Sequence, residues 1–116
     1  MGWSNRNQSE RISIDNMVLG EQMTEFNREE LEARIEPLVR QVKKELIDAI
    51  RVWGIGPSFH ENYGVLKEEF DEFWDEVKKH NQDTHSIYQE AKQTAAMAVR
   101  AMYLAIWGPV KPGKKT

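Results

Sequence analysis

Up to residue 26 the apolar positions follow no sustained period. Beyond it they fall into helical steps. Leu31, Ile35, Leu38, Val42, Leu46, Ile50 and Trp53 recur at intervals of three and four, which draws one apolar stripe along a first helix. Asn27, with Glu30 three residues on, has the spacing of a capping box and marks its start. Gly54, Gly56 and Pro57 end it. Pro37 lies inside the stripe and predicts either a kink or the first turn of a separate helix. Ser58 and Glu61 repeat the capping pattern and open a second helix to about residue 80. The polar stretch 81–84 follows, and Asp83 or Thr84 caps a third helix that runs to about residue 107, where Gly108 and Pro109 stop it.

No strand pattern or internal repeat competes. Short links between helices favour antiparallel neighbours, so the expected class is all-α, an antiparallel helical bundle. The expected organisation is an N-terminal arm over 1–26, partly flexible, in which Ile12, Ile14, Met17, Val18 and Leu19 are able to pack. An all-α domain follows over 27–107, then a basic, flexible tail over 108–116.

The second helix sorts its acids into two groups. With Leu66 at zero and 100° per residue, Tyr63, Phe70, Phe73, Trp74 and Val77 share one apolar face. Glu68, Asp71 and Asp75 fall on the far side, where water solvates them. Glu69, Glu72 and Glu76 lie between about 240° and 300°, along one border of the apolar face. Carboxylates three and four residues apart repel, more strongly beside an apolar wall. A hard cation such as Mg²⁺, which takes oxygen ligands, resolves that conflict. The bland alternative is that an acid-rich helix merely keeps a surface soluble.

The third helix is more apolar. Ile87, Ala91, Thr94, Ala95, Ala98, Val99, Met102, Ala105 and Ile106 spread over a wide arc, so the helix is expected to be largely buried. Glu90, Gln93 and Arg100 are its polar exceptions. A covered carboxylate needs a partner or a metal, which makes Glu90 the sharpest single candidate. Its plain alternative is an acid in the first turns that complements the helix dipole from solvent.

Composition narrows the function classes. The 116 residues carry a net charge of −3, against the Lys and Arg surplus that phosphate-driven nucleic-acid binding requires. The absence of cysteine excludes disulfides, thiolate nucleophiles and cysteine-ligated metals. No apolar run is long enough for a bilayer span, and the polar N-terminus has no secretory h-region, so a cytoplasmic location without membrane association is expected. His60-Glu61 begins like a HExxH zinc site, but Gly64 takes the second histidine's place.

The run from His60 to Glu72, HENYGVLKEEFDE, followed by Glu90-Ala91-Lys92-Gln93, resembles the all-α nucleoside triphosphate pyrophosphohydrolases, the MazG-like family. That family's pattern is EExxE, a spacer, then ExxD. Glu68, Glu69 and Glu72 match the first part, residues 73–89 form the spacer, and Glu90 begins the second. The likeness covers residues 58–106 and is nearest to short phage- or prophage-type members, in which a similar His-Glu-x-Tyr stretch precedes the acidic helix.

The resemblance implies Mg²⁺, or Mn²⁺ in its place, held by Glu69, Glu72 and Glu90. It implies hydrolysis of a (deoxy)nucleoside triphosphate or related nucleotide to monophosphate and pyrophosphate. Glu68 maps onto the first motif acid, to orient the attacking water or to back the ligands. Gln93 stands where the family has Asp and offers a carbonyl oxygen without charge. Either the metal is held more weakly or the role passes to Glu76. Arg100, two turns beyond Gln93 on the same side of the helix, is a candidate phosphate contact, with Lys67 and His60 as weaker ones. Its plain alternative is a surface or salt-bridged arginine. The family is dimeric or tetrameric, and three short helices enclose a nucleotide poorly, so a homo-oligomer completing the fold is expected. The rival expectation, which Gln93 favours, is a non-catalytic helical interaction or nucleotide-binding module with a degenerate metal site.

Overall fold

The computed structural model describes residues 23–113, so most of the expected arm, and Lys114 and Lys115 of the tail, lie outside the described residues. The described part is all-α: α1 (Arg28–Trp53), α2 (Phe59–Val77) and α3 (Thr84–Trp107). Two compact units divide between Ala33 and Arg34. In the first, Asn27 caps α1 as its spacing predicts, its Oδ1 accepting from Glu30 N at 2.9 Å, and Arg28 pairs with Glu32 at 3.0 Å. The helix runs on through Pro37, so that proline opens no separate helix.

In the second unit the main packing is α2 on α3. The two run antiparallel, because Asn62 near the start of α2 meets Arg100 late in α3, while Glu72 lies beside Glu90 near the start of α3. Ser58 caps α2, with its Oγ accepting from Glu61 N at 3.1 Å. The helix ends at Val77, three residues before the expected His80. Gln82 Nε2 donates to Val77 O at 2.7 Å there, satisfying a last-turn carbonyl. Asp83, of the two possible caps, is the one used: its carboxylate accepts from His85 N and from Ser86 Oγ. Those bonds hold its pKa below the ordinary value.

The linker between α1 and α2 folds back on the chain after α3. Ile55 and Val110 form an isolated antiparallel bridge, with N–H···O distances of 2.8 and 2.9 Å, and Gly113 N donates to Arg51 O. The first residues of the expected flexible tail are therefore pinned. Gly54 has φ 69°, and a Cβ there would collide with the Val110 carbonyl, so glycine is needed on both counts.

Among the described residues the buried core is small: Leu46, Ile55, Ala96 and Leu104, with Asn62 as its polar member. On α2 the apolar arc is split. Leu66, Phe73 and Val77 are half-buried, whereas Tyr63, Phe70 and Trp74, on the side away from Glu69 and Glu72, keep more than half their surface in water. Most of α3 is half-covered, with Val99, Met102 and Ile106 exposed. Among the described residues, no helix is long and apolar enough to cross a membrane.

Candidate metal centre

The flank of α2 that borders its apolar face turns toward the N-terminal half of α3. Glu69 and Glu72, one turn apart, share that flank, and antiparallel pairing brings Glu90 to the same level. One carboxylate oxygen from each of the three lies within 4.8 Å of the others.

Electrostatics in this group are unresolved by protein partners. Glu69 Oε1 and Glu90 Oε1 are shut off from solvent and accept no hydrogen bond; the same is true of Glu76 Oε1. Desolvation, then the charges of Glu72, Glu90, Glu68 and Glu45, push the Glu69 pKa above its ordinary value. Glu90 is raised likewise, by desolvation first, then by the charges of Glu72 and Glu76 and a hydrogen bond shared with Glu72. Covered carboxylate oxygens without donors have two ways to lower their energy: take up protons or gather around a cation. Three all-oxygen donors from two helices fit a hard divalent ion such as Mg²⁺ or Mn²⁺ rather than a thiophilic one.

The other expected site residues are placed as follows. Glu68 is exposed, outside the three-acid group, and reaches it only through its charge on Glu69. Glu76 is half-buried, its Oε2 taken by Lys79 Nζ at 2.9 Å while its charge acts on Glu90. Gln93 is half-buried on α3, one turn beyond Glu90. Lys67 is exposed and paired with Asp71 at 2.9 Å; that hydrogen bond and charge raise its pKa. His60 is exposed in the first turn of α2, about 13 Å along the axis from Glu69. Arg100 lies about 15 Å along α3 from Glu90. Its guanidinium donates to Asn62 Oδ1 at 2.7 Å and to Gly54 O at 3.3 Å, so it braces the linker at the far end of the helix pair.

Two residues escaped the sequence reading. Glu45, half-buried on α1, is close enough to bear on Glu69, and it pairs with Lys92 of α3. Its signal was present: Glu45 borders the stripe of Val42 and Leu46 as Glu69 borders that of α2. Comparison of the chain with models of known families, with curated proteins and with solved structures finds no match.

Proposed function

We propose that this chain is a Mg²⁺-dependent nucleotide pyrophosphohydrolase of the MazG-like kind, cleaving a nucleoside triphosphate or related nucleotide to monophosphate and pyrophosphate. One observation carries the reading: Glu69, Glu72 and Glu90 converge from two helices, with covered oxygens on Glu69 and Glu90 that no protein donor satisfies. These three would hold the ion, with Mn²⁺ able to replace Mg²⁺. A bound divalent ion supplies Lewis-acid polarisation of the phosphoryl oxygens and a more acidic water. Glu68, solvent-facing beside Glu69, is positioned to accept a proton from water outside the acid group. Glu76, whose charge acts on Glu90 and whose Oε2 is held by Lys79, is the carboxylate to which the role of the missing fourth acid would pass.

Oligomerisation belongs to the same proposal. The exposed Tyr63, Phe70 and Trp74 leave an aromatic stripe in water on the flank of α2 opposite the acids, a surface of the kind that a partner covers. A second copy of the chain would cover it and leave the acids open.

Gln93 favours one other reading, a nucleotide-binding or interaction module that retains the scaffold with a weakened site. Pyrophosphate release from a panel of nucleoside triphosphates, with and without Mg²⁺, separates the two. Turnover that needs the metal and is lost in Glu69→Gln supports the enzyme. Metal-dependent nucleotide binding without turnover supports the module. A chain that binds neither metal nor nucleotide overturns both.

A further inference from the structure

The pairs Arg40–Glu36, Lys44–Asp48 and Lys67–Asp71 each lie one turn apart on a single helix, with more than half of both side chains in water. Glu45 and Lys92 depart from that pattern. They join α1 to α3, and their side chains keep 32% and 15% of their exposure. Glu45 Oε1 and Lys92 Nζ are 3.8 Å apart, close enough to attract and too far for a hydrogen bond. A largely covered pair without that bond regains little for the water it gives up, so tying two helices together explains it poorly.

The place of Glu45 in the fold explains it better. Lys92 is two residues beyond Glu90, about 3 Å along the α3 axis, and points to the other side of that helix. Glu45, which meets it from α1, therefore lies near the level of the three-acid group. Its charge acts on Glu69, beside those of Glu72, Glu90 and Glu68. Glu69 already holds a carboxylate oxygen shut off from water and from every protein donor. A further carboxylate beside so poorly satisfied an acid is unfavourable while the group is empty. Around a divalent ion the sign changes, because each nearby negative charge then attracts.

We propose that Glu45 is a positioning residue of the metal centre: from α1, outside the ligand set, it supplies a further negative charge to a cation held by Glu69, Glu72 and Glu90, and Lys92 restrains that charge. This rests on the metal-dependent reading above and adds to it a contribution from the first helix.

The test is calorimetric titration with Mn²⁺ of the full native chain, Glu45→Gln, Lys92→Met and the double variant, with circular dichroism to follow helix content. Glu45→Gln removes an attractive charge and is expected to lower Mn²⁺ affinity about fivefold; Lys92→Met removes the restraint on that charge and is expected to raise it about threefold. In the double variant the Lys92→Met gain disappears, because no carboxylate remains to be released. A pair that merely ties α1 to α3 behaves differently: broken from either side, it shifts affinity in one direction. Losses in both single variants therefore overturn the assignment, and so does native affinity in Glu45→Gln. Either result leaves the metal reading standing as long as the native chain binds Mn²⁺. Failure of the native chain to bind Mn²⁺ removes the metal reading and the role of Glu45 with it.

Discussion

Arg100 on α3 and Asn62 on α2 are joined by a hydrogen bond of 2.7 Å, in which the guanidinium donates to the amide oxygen. Asn62 is only 2% exposed, and its amide nitrogen donates in turn to Ser58 O at 2.9 Å and Gly56 O at 3.4 Å. Arg100 also reaches Gly54 O, so the two side chains tie the linker between α1 and α2 to both helices of the main pair. With so few apolar side chains buried among the described residues, the helix pair leans on such a polar brace.

Asn62→Ala removes the amide oxygen that accepts from the Arg100 guanidinium and the amide N–H that donates to the Ser58 and Gly56 carbonyls. Arg100 keeps its bond to Gly54 O, and Ser58 O keeps the backbone N–H of residue 62. Loss of a covered hydrogen bond to a charged group predicts a fall of about 2 kcal/mol in unfolding free energy. Arg100→Met is expected to cost a similar amount, and the double variant less than the sum, because the two act through one bond. Urea denaturation of the three variants checks this; additive losses would separate the two residues.

Substitution in the acid group should change sign with the metal. Without divalent ions, Glu90→Gln removes repulsion from Glu72 and Glu76, and a gain of roughly 0.5 kcal/mol is expected from two like-charge pairs. With saturating Mg²⁺ the native chain gains binding free energy that the variant loses, so the order reverses. Thermal melts with chelator and with Mg²⁺ read both arms. A variant less stable than native in chelator contradicts the repulsion argument.

The pH dependence follows from the direction of the same shifts. Glu69 and Glu90 have folded-state pKa values above the ordinary 4.5, so between 4.5 and the raised values the folded chain binds more protons than the unfolded one. Their contribution to stability in the absence of metal is thus present at low pH and lost as pH rises through that window. Asp83, lowered from 3.8 by its capping bonds, acts oppositely: its contribution holds above 3.8 and disappears as pH falls through its folded value. Denaturant melts in chelator should show the Glu69→Gln/Glu90→Gln pair flattening the slope above pH 4.5, and Asp83→Asn flattening it only below about 3.8. A divalent ion bound to these carboxylates would compete with the same protons, so metal affinity should weaken as pH falls through the window.

Local signals in the sequence were the ones most faithfully realised. The Asn27/Glu30 and Ser58/Glu61 spacings mark helix starts because a cap is made within four residues. The border placement of Glu69 and Glu72, and Glu90 as a polar exception on an apolar helix, were legible because one helical period fixes each residue's direction relative to its own apolar face. Pairings across the fold were not. The Ile55–Val110 bridge engages too few residues to show a period. Arg100 carried the same sign for a phosphate as for Asn62, and only the distance along α3 places it with the latter. Glu45 and Lys92 meet between helices separated by a third, a relation that no single helical wheel contains. Periodicity likewise defined the apolar arc of α2 without indicating that Tyr63, Phe70 and Trp74 would stay in water.

That exposed arc yields a prediction about assembly. Phe70 and Trp74 are 55% and 54% exposed, one turn apart, on the flank away from the acids. Covering a further ~100 Å² of one such ring contributes about 2.5 kcal/mol at ~25 cal/mol per Å². In a two-fold dimer each substitution occurs twice, so Phe70→Ser should weaken association by about 5 kcal/mol, more than a thousandfold in the dissociation constant. Sedimentation velocity of the native chain at micromolar concentration is expected to give a species larger than 13.6 kDa, and Phe70→Ser or Trp74→Ser a monomer. Because the acids lie on the opposite flank, Mn²⁺ binding by the monomeric variants should remain near native. A native chain that sediments as a monomer at all concentrations would remove self-association while leaving the three-acid group as a candidate metal site.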